Sequence, residues 1–171
     1  PDAPYAVLAT RTALIQRDGD VVDMDGVSPV KFDAHPGPYR LAVRHRNHLG
    51  VMSGAPVTLS LSSAMIDFTD TATPTYGTSA QNQMGTRMVC WPGDVNGDGL
   101  VQYTGGGNDR DLVLQAIGGV VPTNILDNVY GGVDVNLDGK AMYTGTGNDR
   151  DLILQTIGGI VPTAVRAQQL P

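Results

Sequence analysis

Glutamate is missing altogether: all 17 acidic residues of the chain are aspartate. Glu favours helix interiors, whereas Asp favours turns, caps and loops that hold hard cations. The negative charge is therefore expected in loops, placed there to bind something. Cysteine occurs once, at Cys90, which excludes an internal disulfide. A metal ion can staple a small domain instead. Aromatic residues make up 5% of the chain, which argues against a sugar-stacking platform and so against a carbohydrate-binding adhesin. No apolar run reaches the ~18 residues of a membrane span. Lys and Arg number 11, leaving a net charge of -6 that disfavours a nucleic-acid partner. No signal-peptide pattern stands at "PDAPYAVLAT", so the chain is expected to be cytosolic or a processed, mature piece.

What is present suits turns and strands. Of 171 residues, 41% are hydrophobic and only 16% charged, with 22 Gly and 11 Pro. Residues 1–60 read as short strands separated by Gly/Pro/Asp turns and predict an antiparallel β-sandwich. "PYAVLATRTALIQ", "VSPVKF", "YRLAVRHR" and "VMSGAPVTLSLS" supply strands, while "RDGDVVDMDG" and "DAHPGP" supply turns. In the third of these runs Tyr39, Leu41, Val43 and His45 alternate with Arg40, Ala42, Arg44 and Arg46. Residues 61–89 read as an extended connection packed on the sandwich, with one strand at "AMIDF" and with Met65, Ile66, Phe68, Tyr76 and Met84 available for packing.

Residues 90–171 carry a duplication with a period of 40, its copies at 93–123 and 133–163. Asp94 recurs as Asp134, Tyr103 as Tyr143, Asp111 as Asp151 and Pro122 as Pro162, and 22 of 30 positions are identical between 94–123 and 134–163. Two copies of one supersecondary unit are expected to pack together, since neither buries its apolar face alone. Each copy opens with alternating oxygen ligands. Asp94, Asn96 and Asp98 precede Gly99, which permits a sharp turn, and Leu100 offers a carbonyl. The second copy has Asp134, Asn136, Asp138 and the Lys140 carbonyl. Oxygen ligands without His or Cys point to calcium rather than zinc. An EF-hand loop closes with a carboxylate at its twelfth position, but Gly105 stands there. "YTGGGN" therefore reads as an outward insertion, with Asp111 closing the site from the first turn of a helix and Asp109 as the alternative. In the second copy these are Asp151 and Asp149. Asn108 reads as a cap or turn residue, and the glycine pair after "LVLQAI" as a helix C-cap.

The duplicated "DVNGDG" loop leading into a helix resembles the calcium motif of type I dockerins, over residues 93–171. The insertion "TGGGND" or "TGTGND" departs from that pattern where dockerins contact their cohesin partner. The longer pattern "QRDGDVVDMDGVSPV", "RHRNHLGVM", "TYGTSAQ" and "YTGxGNDRD" resembles a family of secreted, cell-surface proteins of Bacteroidota-type bacteria. That resemblance covers nearly the whole chain and implies an extracellular setting and no catalysis.

Other clusters weigh less. Asp18, Asp20, Asp23 and Asp25 are a candidate third calcium site, with a hairpin of solvated side chains as the other reading. "TGGGND" lacks the Lys-Ser/Thr of a phosphate loop. His45 and His48, three apart on one strand, are expected to face opposite ways. Cys90 beside Trp91 reads as a buried thiol. The expected whole is a mainly β, non-enzymatic, extracellular or cell-surface protein stabilised by two Ca²⁺ ions. It is expected to self-associate into fibres or matrix, or to dock on another cell-surface protein through a dockerin-like module.

Overall fold

The computed structural model describes residues 6–171. The beginning of the expected strand at Pro4–Tyr5 and half of the "PDAPYAVLAT" segment lie outside them. Along the chain come β1 (Leu14–Ile15), β2 (Val21–Val22), β3 (Gly37–Tyr39), β4 (Ala42–His45), β5 (His48–Met52), β6 (Val57–Leu59), β7 (Gln81–Met84), β8 (Arg87–Cys90), β9 (Leu100–Gln102), α1 (Asp109–Ala116), β10 (Ile125–Asp127), β11 (Lys140–Met142), α2 (Asp149–Thr156) and β12 (Val165–Ala167). The fold is thus mainly β with two short helices. Every sheet among the described residues is an antiparallel pair of strands. No helix among them is long and apolar enough to cross a membrane.

The chain divides into two compact units, one of residues up to 39 with 56–66 and 171, the other of residues 40–55 with 67–170. The first unit holds the ribbons β1–β2 and β3–β6. Its strand β3 falls where "DAHPGP" reads as a turn, with Pro38 opposite Thr58. Three ribbons, rather than one continuous sheet, occupy the segment read as a sandwich. The third of them, β4–β5, belongs to the second unit. The reason is burial: Leu49, Val51 and Met52 of β5 are 5% exposed or less, and Leu49 joins the core of the duplicated segment.

The stretch read as an extended connection contains a hairpin instead. β7 and β8 pair from Gln81↔Cys90 to Met84↔Arg87 across Gly85, whose φ of +60° suits a two-residue turn. No strand forms at "AMIDF". Met65 and Met84 stand exposed rather than packed, while Ile66, Phe68 and Tyr76 are half-buried.

The two repeats complete one another. β10 of the first pairs with β11 of the second, and β12 of the second pairs with β9 of the first. The cross-links are reciprocal as well: the Thr104 hydroxyl donates to the Pro162 carbonyl and the Thr144 hydroxyl to the Pro122 carbonyl, both at 2.9 Å. Each helix starts at an Asn N-cap, whose side chain accepts the N–H of Asp111 or Asp151. Each ends at a glycine pair, with Gly119 N–H bonded to Leu114 O and Gly159 N–H to Leu154 O at 2.8 Å. This 6→1 bond needs a left-handed residue, supplied by Gly118 (φ +108°) and Gly158 (φ +109°). Between the helices Leu49, Val101, Val113, Val135, Ile153 and Ile157 form one core, with Trp91, Tyr103 and Tyr143 against it. Arg166 stacks 3.6 Å over the Trp91 ring. The neighbouring Cys90 is half-buried, and burial pushes its thiol pKa up.

The junction of the repeats gives a steric test. A Cβ on Gly132 would meet the Val95 carbonyl oxygen at 2.5 Å, whereas one on Gly131 would meet nothing within 4 Å. Gly132→Ala is expected to cost about 1–3 kcal/mol in thermal denaturation, while Gly131→Ala leaves the melting temperature unchanged or slightly higher.

Candidate functional site

Each loop is built by its own acidic residues. In the first, Asp94 Oδ2 accepts the Gly99 N–H at 3.1 Å, Asn96 Oδ1 the Asp98 N–H at 2.9 Å, and Asp98 Oδ1 the Leu100 N–H at 2.8 Å. The second repeats this with Asp134 to Gly139, Asn136 to Asp138 and Asp138 to Lys140, at 3.2, 2.9 and 2.9 Å. The curl needs left-handed residues: Gly97 and Gly99 in one copy, Leu137 (φ +62°) and Gly139 in the other. Leucine seldom adopts such a φ, so Leu137 marks how firmly the loop shape is imposed.

The middle Asn side chain points at two acceptors. Asn96 Nδ2 donates to Asp98 Oδ2 at 2.9 Å and to the Gly107 carbonyl at 3.0 Å. Asn136 does the same with Asp138 Oδ2 and the Gly147 carbonyl, at 3.1 and 2.6 Å. The Gly107 and Gly147 carbonyls are thus drawn to the loop by an insertion that carries no ligand in the sequence reading. Residues 105–107 and 145–147 are nevertheless exposed.

Asp109 and Asp111 take different places. Asp109 is 1% exposed, and its two oxygens clasp the loop from both sides. Oδ1 accepts the N–H of Val95 at 2.7 Å and of Asn96 at 3.4 Å, and Oδ2 accepts that of Gln102 at 2.8 Å. Asp149 does the same for Val135, Asn136 and Met142. Burial is the main reason why the Asp109 pKa is raised from its ordinary 3.8 to about 6; the main-chain donors oppose it and the Asp94 charge adds to it. Burial likewise raises that of Asp149. Asp111 instead lies half exposed, bonded to Asn108 Nδ2 at 2.9 Å and to Arg110 at 2.8 Å. Asp151 mirrors it with Asn148 and Arg150. Asp111 and Asn96 line one shallow cleft, Asp151 and Asn136 another. From the helix start, Asp109 bonds the main chain of the loop, while Asp111 faces the cleft that Asn96 also lines.

One oxygen is left over. Asp94 is 5% exposed, and its Oδ1 is buried without a hydrogen-bond partner among the described residues. Burial and the nearby Asp98 raise the Asp94 pKa. Among the described residues no three His, Cys, Asp or Glu side chains are grouped to hold a metal ion. The oxygens each loop offers include an amide and carbonyls as well as carboxylates.

Two other clusters resolve differently. Asp23 pairs with Arg11 at 3.0 Å, Asp18 accepts the Asp20 N–H, and Asp25 accepts those of Val27 and Ser28. The bonds of Asp18 and Asp25 are local turn bonds, and Asp23 is held in an ion pair. The expectation that His45 and His48 face apart is corrected. The chain reverses between them, so they stand opposite one another across β4–β5, Nδ1 to Nδ1 at 3.0 Å. Arg46 and Asn47 occupy that turn. Arg46 reaches Asp134, and the fully buried Asn47 donates to the Gly132 and Asp134 carbonyls. The sequence leads one to expect Arg46 to pair with an Asp residue or a neighbouring subunit, but it signals neither which Asp nor the Asn47 contacts, because both span more than 80 residues.

Comparison with protein-family models, with curated proteins and with solved structures finds no match to this chain.

Two measurements test this geometry. Asp109→Asn places an amide N–H against a main-chain N–H. In chelator-containing buffer it is expected to cost about 2–3 kcal/mol, while Asp111→Asn costs less than about 1 kcal/mol. The second concerns pH. Burial, with His45 and Arg46 alongside, lowers the His48 pKa from 6.5 to about 4. The folded state thus holds the neutral ring: its contribution is complete above pH 6.5 and is lost as pH falls towards 4. Asp109 acts in the opposite sense, its penalty easing as pH falls from 6 to 3.8. The difference between wild type and His48→Gln isolates the histidine. The variant should lose less melting temperature on acidification than the wild type.

Proposed function

We propose that this chain is a non-enzymatic, extracellular structural protein whose duplicated loops are EF-hand-like, dockerin-like calcium sites. The observation that carries the reading is the buried, unpartnered Asp94 Oδ1 at the head of an oxygen-lined loop. A buried carboxylate oxygen without a donor is costly, and a divalent cation is the partner that such a loop can take. In each copy the residues that would hold the ion are Asp94 or Asp134, Asn96 or Asn136, and Asp98 or Asp138. The carbonyls of Leu100 or Lys140 and of Gly107 or Gly147 would complete them once the Asn amide turned its oxygen inward. Asp109 and Asp149 would brace the loops; Asp111 and Asp151 would stay with their arginines. Two such ions add four positive charges to a net charge of -6. The role is structural: ions bound only by the folded loops contribute their binding free energy to folding. Millimolar extracellular calcium suits sites of modest affinity.

Self-association is the second part of the proposal. Two-stranded ribbons leave free edges open to further strands. Those of the first unit carry exposed Leu14, Ile15 and Val21. They are read as the parts of an antiparallel sandwich that neighbouring copies extend into fibres or matrix. One observation favours the docking alternative: Val120 and Ile160, equivalent positions beyond the two helices, are 84% and 86% exposed, twin apolar points for a scaffold partner.

Saturating calcium is expected to raise the melting temperature by roughly 5–11 °C per site over chelator at a hundredfold excess over Kd. Metal analysis should find two calcium ions per chain. A metal-free protein with the same melting temperature in both buffers overturns the reading. Electron microscopy with and without chelator separates the two roles: calcium-dependent fibres support assembly, and monomers throughout favour docking.

A further inference from the structure

The two loops are spelled alike but surrounded differently. Asp94 forms no ion pair among the described residues, whereas Arg46 stands 3.9 Å from Asp134 Oδ2. Asp94 Oδ1 lacks a donor, whereas Asp134 Oδ1 also accepts the Asp138 N–H at 3.0 Å. The guanidinium is fixed in place. Its Nε donates to the Gly131 carbonyl at 3.3 Å, one Nη donates to His45 Nε2 at 3.0 Å, and its Cζ lies 4.2 Å from the Tyr130 ring centre. A cation thus already sits beside the leading carboxylate of the second loop, only 2% exposed.

We propose that Arg46 makes the two calcium sites unequal: the Asp94 loop fills first and tightly, and the Asp134 loop fills later and more weakly. This rests on the calcium reading above. The arginine acts as a resident counter-ion. It lets the second loop keep its shape at low calcium, and it repels the incoming ion. For a doubly charged ion a few ångströms from a fixed unit charge, that repulsion amounts to about tenfold in affinity even under water-like screening.

Calorimetric titration of the full, calcium-stripped chain with calcium chloride tests this. Two classes of site are expected, differing at least about tenfold. Asp134→Asn should abolish the weaker class and Asp94→Asn the tighter. Arg46→Met, which removes the charge and keeps the stem, should bring the weaker class to within about threefold of the tighter. Arg46→Lys, which keeps the charge, should preserve most of the gap. If Arg46→Met does not fold, the order of loss in the two Asp variants still decides. Two equal sites, loss of the weaker class in Asp94→Asn, or an unchanged gap in Arg46→Met overturns the inference while leaving calcium binding intact. No calcium uptake by the wild type sinks the calcium reading and this inference with it.

Discussion

The duplicated segment hangs on a carboxylate buried at the start of each helix. Asp109 and Asp149 each gather main-chain N–H groups from both limbs of a loop, the limb before the left-handed turn and the strand after it. Hydrogen bonds to a charged acceptor contribute about 1.5–3 kcal/mol each, and the helix N-terminus favours the same negative charge. Against this stands desolvation, which is why these carboxyls hold their protons more tightly than usual. The short arm of aspartate suits the job: it keeps the loop pressed against the helix start.

That clasp brings further carboxylates close. Asp94 and Asp98 are drawn together by the loop, and Asp94 and Asp109 repel across it. Charge concentrated in this way calls for an opposite charge. At Asp134 the protein supplies one itself, by turning the β4–β5 hairpin so that Arg46 arrives beside it. At Asp94 it does not, and there the bare Oδ1 remains. The arginine belongs to a segment far away in sequence, so the symmetry of the duplication is broken from outside.

Much of the duplicated segment was legible from the chain alone, because its determinants are local. The period of 40 identifies the two units, Asn108 and Asn148 cap the helices, and the glycine pairs stop them. That Asp109 and Asp111 take different places was not legible. It depends on which carboxylate the helix turns inward, and that is decided by hydrogen bonds to Val95 and Gln102 rather than by spacing. The N-terminal segment is less legible. Its alternating pattern does give short strands, but pattern alone does not tell ribbons from a closed sandwich. The apolar run at β5 gave no sign that it packs against residues fifty to a hundred positions later. The β7–β8 hairpin did leave a signal, the Gly85–Thr86 pair between pairing strands, hidden in a polar stretch. The histidines were misplaced because the reversal at Arg46–Asn47 lacks glycine and proline.

The exchange of strands between repeats has a consequence for how this segment can be taken apart or enlarged. β9 finds its mate only in the last strand of the other copy, and β11 only in β10. Neither half owns a complete ribbon, so the halves must melt together as one cooperative body. The same interlock is a closed ring of two. A third copy would bring two further strands that find mates in this scheme only if the β9–β12 ribbon opens to admit them, so growth by duplication has to break an existing pairing first.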